Sequence, residues 1–185
     1  YTRVAEQTRA LARVGDMVQV EDRDRRFYKC DPGLSVGTWV ANGRTVFRGP
    51  VAEVSYRPVN GVVYEVVKVE YPGRTVEAMR PCPAVDADEF RLSCCTRGCP
   101  NPHLNDRPFC RDCRDVCNWE SVGLVNSRIL VVSTLRSVQT DQAIKDGIDR
   151  SLAVFRAWIF RNVETLEREQ AARLRREQEE ARRRT

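Results

Sequence analysis

Residues 94–117 read CCTRGCPNPHLNDRPFCRDCRDVC, and this stretch holds six of the chain's eight cysteines and its only histidine. It contains too few apolar side chains to bury a core, so the hydrophobic effect alone cannot offset the ordering cost of roughly 1 to 2 kcal/mol per residue. A Zn²⁺ ion bound by thiolates supplies that free energy, because the binding energy of a structural zinc is also folding energy. The stretch therefore predicts a zinc-binding cysteine cluster.

The spacing of the cysteines predicts one site and leaves some ligands over. A Cys110-x2-Cys113 knuckle supplies two thiolates, Cys99 supplies a third after the turn residue Gly98, and either member of the adjacent pair at 94 and 95 supplies the fourth. The remaining residues would form a second site only with help from Cys82 or Cys30, so we expect one or two zinc ions. The candidate metal ligands are Cys94, Cys95, Cys99, His103, Cys110, Cys113 and Cys117.

The alternative interpretation of the cluster is a disulfide framework in a secreted protein. The sequence shows no signal-like apolar segment, although a leader removed before Tyr1 is compatible with it. The density and spacing of the cysteines favour zinc, and with it an intracellular location in the cytoplasm or nucleus. No apolar run approaches the roughly 18 residues of a membrane helix, so we expect no membrane partner.

The chain has 185 residues, 42% of them hydrophobic, and a formal net charge of +5. Its cations are nearly all arginine, which suits phosphate and carboxylate binding but follows equally from a GC-rich genome. The single histidine lies among the cysteines, and the glycines follow turn chemistry without a phosphate-loop context. We therefore predict that the protein is not an enzyme.

Between residues 15 and 92 the apolar pattern changes to a period of two, which indicates β-strands. Asn42-Gly43 lies between two β-rich runs and predicts a tight hairpin, and strands are expected at 51–56, 62–70 and 75–79. Pro58-Val59-Asn60-Gly61 and Pro72-Gly73 supply the turns between them. The region is expected to hold five or six short strands, in a protein of α+β class.

The Gly-Asp-x-Val-x-Val pattern at 15–20, the tightly turned meander and the Asp-Glu-Phe-Arg-Leu segment at 88–92 together resemble SH3-like and Tudor-like domains. The resemblance implies a small antiparallel β-barrel over 15–92, and an OB-type barrel is the rival. The predicted division of the chain is an N-terminal helical segment 1–14, the barrel 15–92, the cysteine cluster 93–120, a strand and connector 121–139, and a long helix 140–185.

Two elements follow the cluster. The β-branched run at 128–132 is typical of a buried strand. Thr140 and Asp141 are expected to serve as the N-cap and the first-turn acid of a helix. Apolar residues then recur in steps of three and four from Ile144 to Leu166, which predicts an amphipathic helix that ends in a charged, coiled-coil-like tail. We predict that this stripe is buried against another chain, most simply in a homodimer; the alternative is that the helix folds back on its own body and only the tail projects.

These features together predict a non-enzymatic, zinc-stabilised binding or adaptor module that contacts RNA, another nucleic acid or a protein partner and self-associates through its C-terminal helix. A Cys-rich module followed by a charged helix is similar to small viral cysteine-rich proteins, some of which bind RNA and oppose host silencing. The alternative function is a structural component of a virion or ribonucleoprotein, stapled by zinc and anchored by the helix.

Overall fold

The computed structural model describes residues 11–30, 36–41, 43–83, 86–113 and 117–185 of the protein. Within these ranges the chain is an α+β protein whose six strands precede its three helices. The elements, in chain order, are β1 Met17–Glu21, β2 Phe27–Lys29, β3 Gly37–Ala41, β4 Arg44–Val59, β5 Val62–Tyr71, β6 Arg74–Pro81, α1 Ala87–Leu92, α2 Trp119–Ser137 and α3 Gln142–Arg184.

The strands form one antiparallel sheet in the order β2-β1-β4-β5-β6, with β3 also paired to β4. The predicted hairpin is confirmed, since Ala41 lies opposite Arg44; Asn42 itself lies outside the described residues. The β4–β5 turn places Asn60 at φ 50° and Gly61 at φ 78°, the left-handed conformation that these residue types tolerate. Tight-turn chemistry in the sequence therefore located the hairpins correctly.

One strand boundary differs from the prediction. The second arm of the hairpin and the strand expected at 51–56 are a single strand, β4, of 16 residues. The pairing with β5 shifts register between Val51 and Glu53, which is the signature of a bulge. A Cβ at Gly49 would lie 2.6 Å from the carbonyl oxygen of Glu70, so a glycine allows β4 to pass this neighbour.

The predicted barrel is wrong, because the sheet is not closed. The strands at the two ends of that order, β2 and β6, are joined only by an isolated bridge between Arg26, just before β2, and Met79. There the Met79 amide donates to the Arg25 carbonyl at 2.8 Å. A barrel needs a continuous ladder between its edges, with stagger and tilt matched to strand number. Turn chemistry and period-two patterning specify neighbouring pairs and carry no information about how the edges meet.

Buried apolar residues separate into two clusters. The first, called the sheet core, lies against the strands: Ala12, Val18, Val20, Phe27, Phe47, Val51, Val67, Val69, Val76 and Ala78. The second, called the helical core, joins the three helices to the cysteine-rich loop: Val63, Cys82, Ala87, Phe90, Cys94, Cys95, Phe109, Cys110, Val122, Val125, Val131, Val132, Leu135, Ile148, Leu152, Phe155, Trp158 and Leu166.

A buried carboxylate binds the segment around Ala12 to the sheet. Glu65 is 0% exposed, and its two oxygens accept from the Ala12 amide at 2.8 Å, the Tyr56 hydroxyl at 3.1 Å and Arg80 Nε at 2.8 Å. Burial, and then the neighbouring Glu65 carboxylate, raises the pKa of Tyr56. Of the predicted N-terminal helical segment, residues 1–10 lie outside the described residues, and the described residues that follow, 11–14, are not helical.

The strand predicted at 128–132 is wrong, because these residues lie within α2. Asn118 caps this helix by accepting from the Ser121 amide at 2.8 Å. The buried positions of α2 recur in steps of three, three, three, one and three: Val122, Val125, Arg128, Val131, Val132 and Leu135. The charged residue in the middle of that series hides the helical period, so the short β-branched run reads as a strand.

The long C-terminal helix is confirmed as α3, with Asp141 as its N-cap in place of Thr140. Most of its apolar stripe packs on the chain's own body as far as Leu166, which is the arrangement of the alternative prediction. Ile144, Ile159 and Val163 remain partly exposed, and burial against another chain stays a prediction. Beyond Leu166 nearly every side chain is exposed over about 27 Å of helix. None of the helices within the described ranges combines the length and apolar character needed to cross a membrane.

Candidate metal centre

Four of the predicted ligands converge in the loops between α1 and α2. The Sγ atoms of Cys94, Cys99, Cys110 and Cys113 all lie within 4.8 Å of one another. Cys94 follows the C-cap of α1, and Gly98 at φ 74° turns the chain so that the Cys99 amide donates to the Thr96 carbonyl at 3.1 Å. The structure thus joins a Cys-x4-Cys pair to the Cys-x2-Cys knuckle.

The distances between sulfur atoms fit a tetrahedral zinc ion. Zn–S bonds of about 2.3 Å place the ligand sulfurs of a tetrahedron about 3.8 Å apart. The Sγ of Cys99 lies 3.8 Å from that of Cys110 and 3.9 Å from that of Cys113. All eight cysteines lie within the described residues, and none of them forms a disulfide bond there. The donor set of four thiols at this spacing therefore fits a structural Cys₄ zinc site.

Nitrogen donors point at the sulfur atoms. The Sγ of Cys94 accepts from the Cys110 amide at 3.2 Å and from the Thr96 amide at 3.5 Å, and the side-chain amide of Asn101 donates to Cys110 Sγ at 3.7 Å. Such donors orient metal-bound sulfurs and offset the negative charge that a thiolate carries. The two halves of the site are thereby hydrogen-bonded to each other as well as adjacent.

The thiols of the cluster differ in acidity. Burial raises the pKa of Cys110, but hydrogen bonds from Cys113 and Asn101 outweigh it and lower that pKa to about 7. Burial raises the pKa of Cys99 to about 12, and it also raises that of Cys113. Since a thiol must lose its proton to bind metal, a metal ion entering the cluster releases protons, and acid opposes its binding.

Three predicted ligands lie apart from this cluster. Cys95 is 3% exposed within the helical core, and burial raises its pKa to about 11. The Cys117 thiol donates to the carbonyl of Asn162 on α3 at 3.7 Å. Cys94 and Cys95 are adjacent, and only the first points at the other sulfurs, so spacing alone left the choice between them open.

His103 bridges the loop to α3. Its Nδ1 lies 2.7 Å from the Leu104 carbonyl and its Nε2 lies 3.1 Å from Ser151 Oγ. The ring also packs edge-on against Phe155, with centroids 5.1 Å apart. Burial lowers the pKa of His103, and the nearby Arg128 and Arg91 lower it further. The histidine is thus placed as a neutral hydrogen-bonding contact between loop and helix.

Arg128 holds the backbone at Cys94, the first cysteine of the cluster, and it was not predicted from the sequence. The residue is 5% exposed, and its guanidinium donates to the carbonyls of Phe90, Ser93 and Cys94 at 3.1, 2.5 and 3.0 Å. It also lies over the Phe90 ring, 4.4 Å from the centroid. Its cation therefore lies beside the site where four thiolates would concentrate negative charge. The signal in the sequence was its place in the helical period of α2.

The cluster is fixed to the long helix by an aromatic contact. Phe109, immediately before Cys110, packs edge-on against Trp158 of α3 with ring centroids 5.5 Å apart. Both side chains are buried, at 2% and 1% exposure. The cluster is therefore part of the helical core and not a separate knuckle.

Compared with known proteins, the chain matches no family model, no curated protein and no solved structure.

Proposed function

We propose that the protein is a non-enzymatic binding module, stabilised by a zinc ion at Cys94, Cys99, Cys110 and Cys113, that presents its C-terminal helix to a nucleic-acid partner. The observation that supports a metal site is the convergence of four thiols within 4.8 Å. Four protein ligands complete a tetrahedron and leave no open coordination position, which is the arrangement of structural zinc. Zinc would hold the loop in the shape that seats Phe109 on α3.

The exposed tail of α3 supports a phosphate-binding role. Four arginines recur every seven residues, at Arg161, Arg168, Arg175 and Arg182, and all four are exposed. Seven residues nearly complete two helical turns, so the column drifts only about 20° per step and its members stand about 10.5 Å apart. Such a column places cations along one side of the helix. Six glutamates lie between its first and last members, and two of them, Glu164 and Glu179, neighbour column arginines at three or four residues.

Metal content tests the first half of the proposal. Elemental analysis of the purified full chain is expected to give one zinc per chain, and Cys110→Ser is expected to lose it while Cys30→Ser keeps it. A chain that carries no zinc, with its thiols oxidised in pairs, would contradict the proposal and favour an extracellular disulfide framework.

Salt dependence of RNA binding tests the second half. The full chain is titrated with single-stranded RNA of random sequence between about 50 and 200 mM salt, since each neutralised phosphate adds about 0.7 to the slope of log affinity against log salt. Replacing Arg168, Arg175 and Arg182 by Gln is expected to reduce the slope by about 2. Replacing Arg173, Arg176 and Arg184 by Gln removes the same charge off the column and is expected to change it less. Equal effects, or no RNA binding, would contradict the proposal.

Self-association is the second candidate role of the tail. Phe160 and Leu174 are 75% and 55% exposed, and two heptads separate them on one side of α3. Sedimentation of the full chain at tens of micromolar, compared with a Phe160→Ala and Leu174→Ala double variant, is expected to show a dimer that the variant loses. A monomeric full chain would exclude this role and leave the RNA proposal untouched.

A further inference from the structure

A cavity of about 440 Å³ lies between the sheet, residues 11–14 and helix α2. It is called the α2 cavity below, and its volume is within the range of small-molecule sites in proteins. Two of its lining residues are among the exposed large apolar side chains of the protein, Val14 at 64% and Leu130 at 44%. Val54 and Leu124 extend this apolar wall. A ligand seated here would therefore remove apolar surface from water.

Helix α2 carries two small residues where it borders the cavity. Gly123 lies within the helix and lines the cavity, and a Cβ built on it would meet nothing within 4 Å. Glycine inside a helix costs about 0.5 to 1 kcal/mol relative to alanine, and here no neighbouring atom requires it. Ser127, one turn further on, is also small and also lines the cavity. These two small residues leave the mouth of the cavity open, and the glycine does so at a cost in helix stability.

The charge of the lining is mainly positive. Arg97 forms no ion pair within 4 Å among the described residues, while Arg13 is bound to Asp16 at 3.3 Å. Arg97 is exposed at the rim of the cavity, and a guanidinium without an ion pair there favours a ligand with an anionic group.

The other charged and polar groups of the lining are already engaged or placed elsewhere. Arg128 gives its hydrogen bonds to backbone carbonyls and a serine, and the Tyr56 hydroxyl donates to Glu65. Glu120 is the one acid of the lining, and it lies in the first turn of α2, where the helix dipole favours a negative charge. Arg97 is thus the group left to meet a ligand's head group.

We propose that the α2 cavity binds a small monoanionic carboxylate with an apolar body. The apolar body lies against Val54, Leu124 and Leu130, and the carboxylate pairs with Arg97 at the rim. The planar guanidinium matches a carboxylate with two parallel hydrogen bonds, which gives the site its preference for that head group. This site is separate from the tail of α3 but borders the four-cysteine cluster, because Arg97 lies in the loop between Cys94 and Cys99. It therefore rests on the metal site of the proposed function, and the metal content of each sample distinguishes a failure of the metal site from a failure of the cavity.

The test compares two probes with the same alkyl chain, octanoate and octan-1-ol, by titration calorimetry of the full chain with its metal content measured in every sample. Octanoate is expected to bind at one site at least tenfold more tightly than the alcohol, because only the carboxylate pairs with Arg97. Equal affinities, or no binding of either probe, would overturn the proposal.

Two variants locate the site, each with a matched control. Arg97→Gln is expected to lower octanoate affinity at least fivefold and leave octanol binding unchanged, whereas Arg156→Gln on α3 changes neither. Gly123→Leu is expected to fill the mouth and abolish binding of both probes, whereas Asn126→Leu, on α2 but outside the lining, leaves both intact. Unchanged octanoate binding in Arg97→Gln, or in a folded Gly123→Leu protein, would contradict the assignment.

Discussion

The sheet core and the helical core are stabilised by different means. The sheet core contains ten buried apolar residues and no cysteine, beneath strands that satisfy one another's backbone groups. The helical core includes four cysteines, two of which belong to the four-thiol cluster. The sheet needs only apolar burial and backbone pairing, whereas the loop of the helical core carries thiols that could bind a metal ion. With zinc bound as proposed, stability would divide into a metal-independent and a metal-dependent region.

The largest expected effect comes from removing the metal. A strong chelator, or Cys99→Ser, is expected to unfold the loop that carries Phe109 and release it from α3, while the strands persist. Structural zinc contributes about 10 to 16 kcal/mol in small zinc-finger peptides, far more than any single side chain here. Amide NMR spectra recorded before and after chelation check the result residue by residue.

Cys30→Ser is the control for this comparison, since Cys30 lies outside the four-thiol cluster. Its spectrum and its zinc content are expected to match those of the unmodified chain. Simultaneous loss of the strands on chelation would show that the two regions unfold as one unit and would end the comparison.

The next effect concerns the aromatic contact between loop and helix. Trp158→Ala leaves a void beside Phe109 and is expected to lower the free energy of unfolding of the helical core by about 3 to 5 kcal/mol. Urea unfolding followed by far-ultraviolet circular dichroism measures the change. Arg156→Ala, two residues earlier on the same helix and exposed, is expected to change it by less than about 0.5 kcal/mol. Equal losses in the two variants would place Trp158 outside the core.

Arg128 and Glu65 are the buried charged groups that organise the two regions. Arg128→Met leaves carbonyls of α1 and its C-cap without a donor, at an expected cost of about 1 to 3 kcal/mol for an unsatisfied buried group. We expect this variant to bind zinc more weakly, measured by competition with a chromophoric chelator. Glu65→Gln, in the sheet region, is expected to lower stability without changing zinc affinity. An unchanged zinc affinity in Arg128→Met would refute the electrostatic link between Arg128 and the site.

The smallest effect is a pH dependence carried by His103. Its folded-state pKa lies below the ordinary value of 6.5, so the unfolded chain takes up the proton first as pH falls. Its contribution to stability is therefore present above pH 6.5 and is lost as pH falls through the folded-state pKa, with a slope of at most about 1.4 kcal/mol per pH unit. Urea unfolding of the chain and of His103→Gln, between pH 7.5 and the onset of zinc release, is expected to show a shallower slope in the variant. Parallel profiles of stability against pH in the two proteins would contradict the assignment of this pH dependence to His103.

The parts of the fold that sequence could predict are those set by local chemistry. Glycine-containing turns located the hairpins, the stripe ending at Leu166 identified α3, and the spacing of Cys99, Cys110 and Cys113 identified three members of the cluster. The parts it missed depend on contacts between distant residues. The edges of the sheet meet at a single bridge, and α2 was hidden because Arg128 faces inward to reach carbonyls more than 30 residues earlier.

The choice between adjacent cysteines shows the same limit on a smaller scale. Either Cys94 or Cys95 fits the ligand spacing, and the choice depends on which side chain faces the sulfur atoms and which faces the helical core. That direction is set by the hydrogen bond from the Cys94 amide to the Asn101 carbonyl and by the bond from the Cys95 amide to the Pro108 carbonyl. No spacing rule contains those pairings.

The anchoring of Ala12 by Glu65 has a consequence for the order of folding. That hydrogen bond joins residues 53 positions apart, whereas the sulfurs of Cys99 and Cys113 meet across 14. Closing the longer loop costs more chain entropy and is the slower search. We therefore expect the thiol cluster to assemble early when metal is present and the segment around Ala12 to dock late. Refolding monitored by pulsed hydrogen exchange would then protect the Cys110 amide before the Ala12 amide.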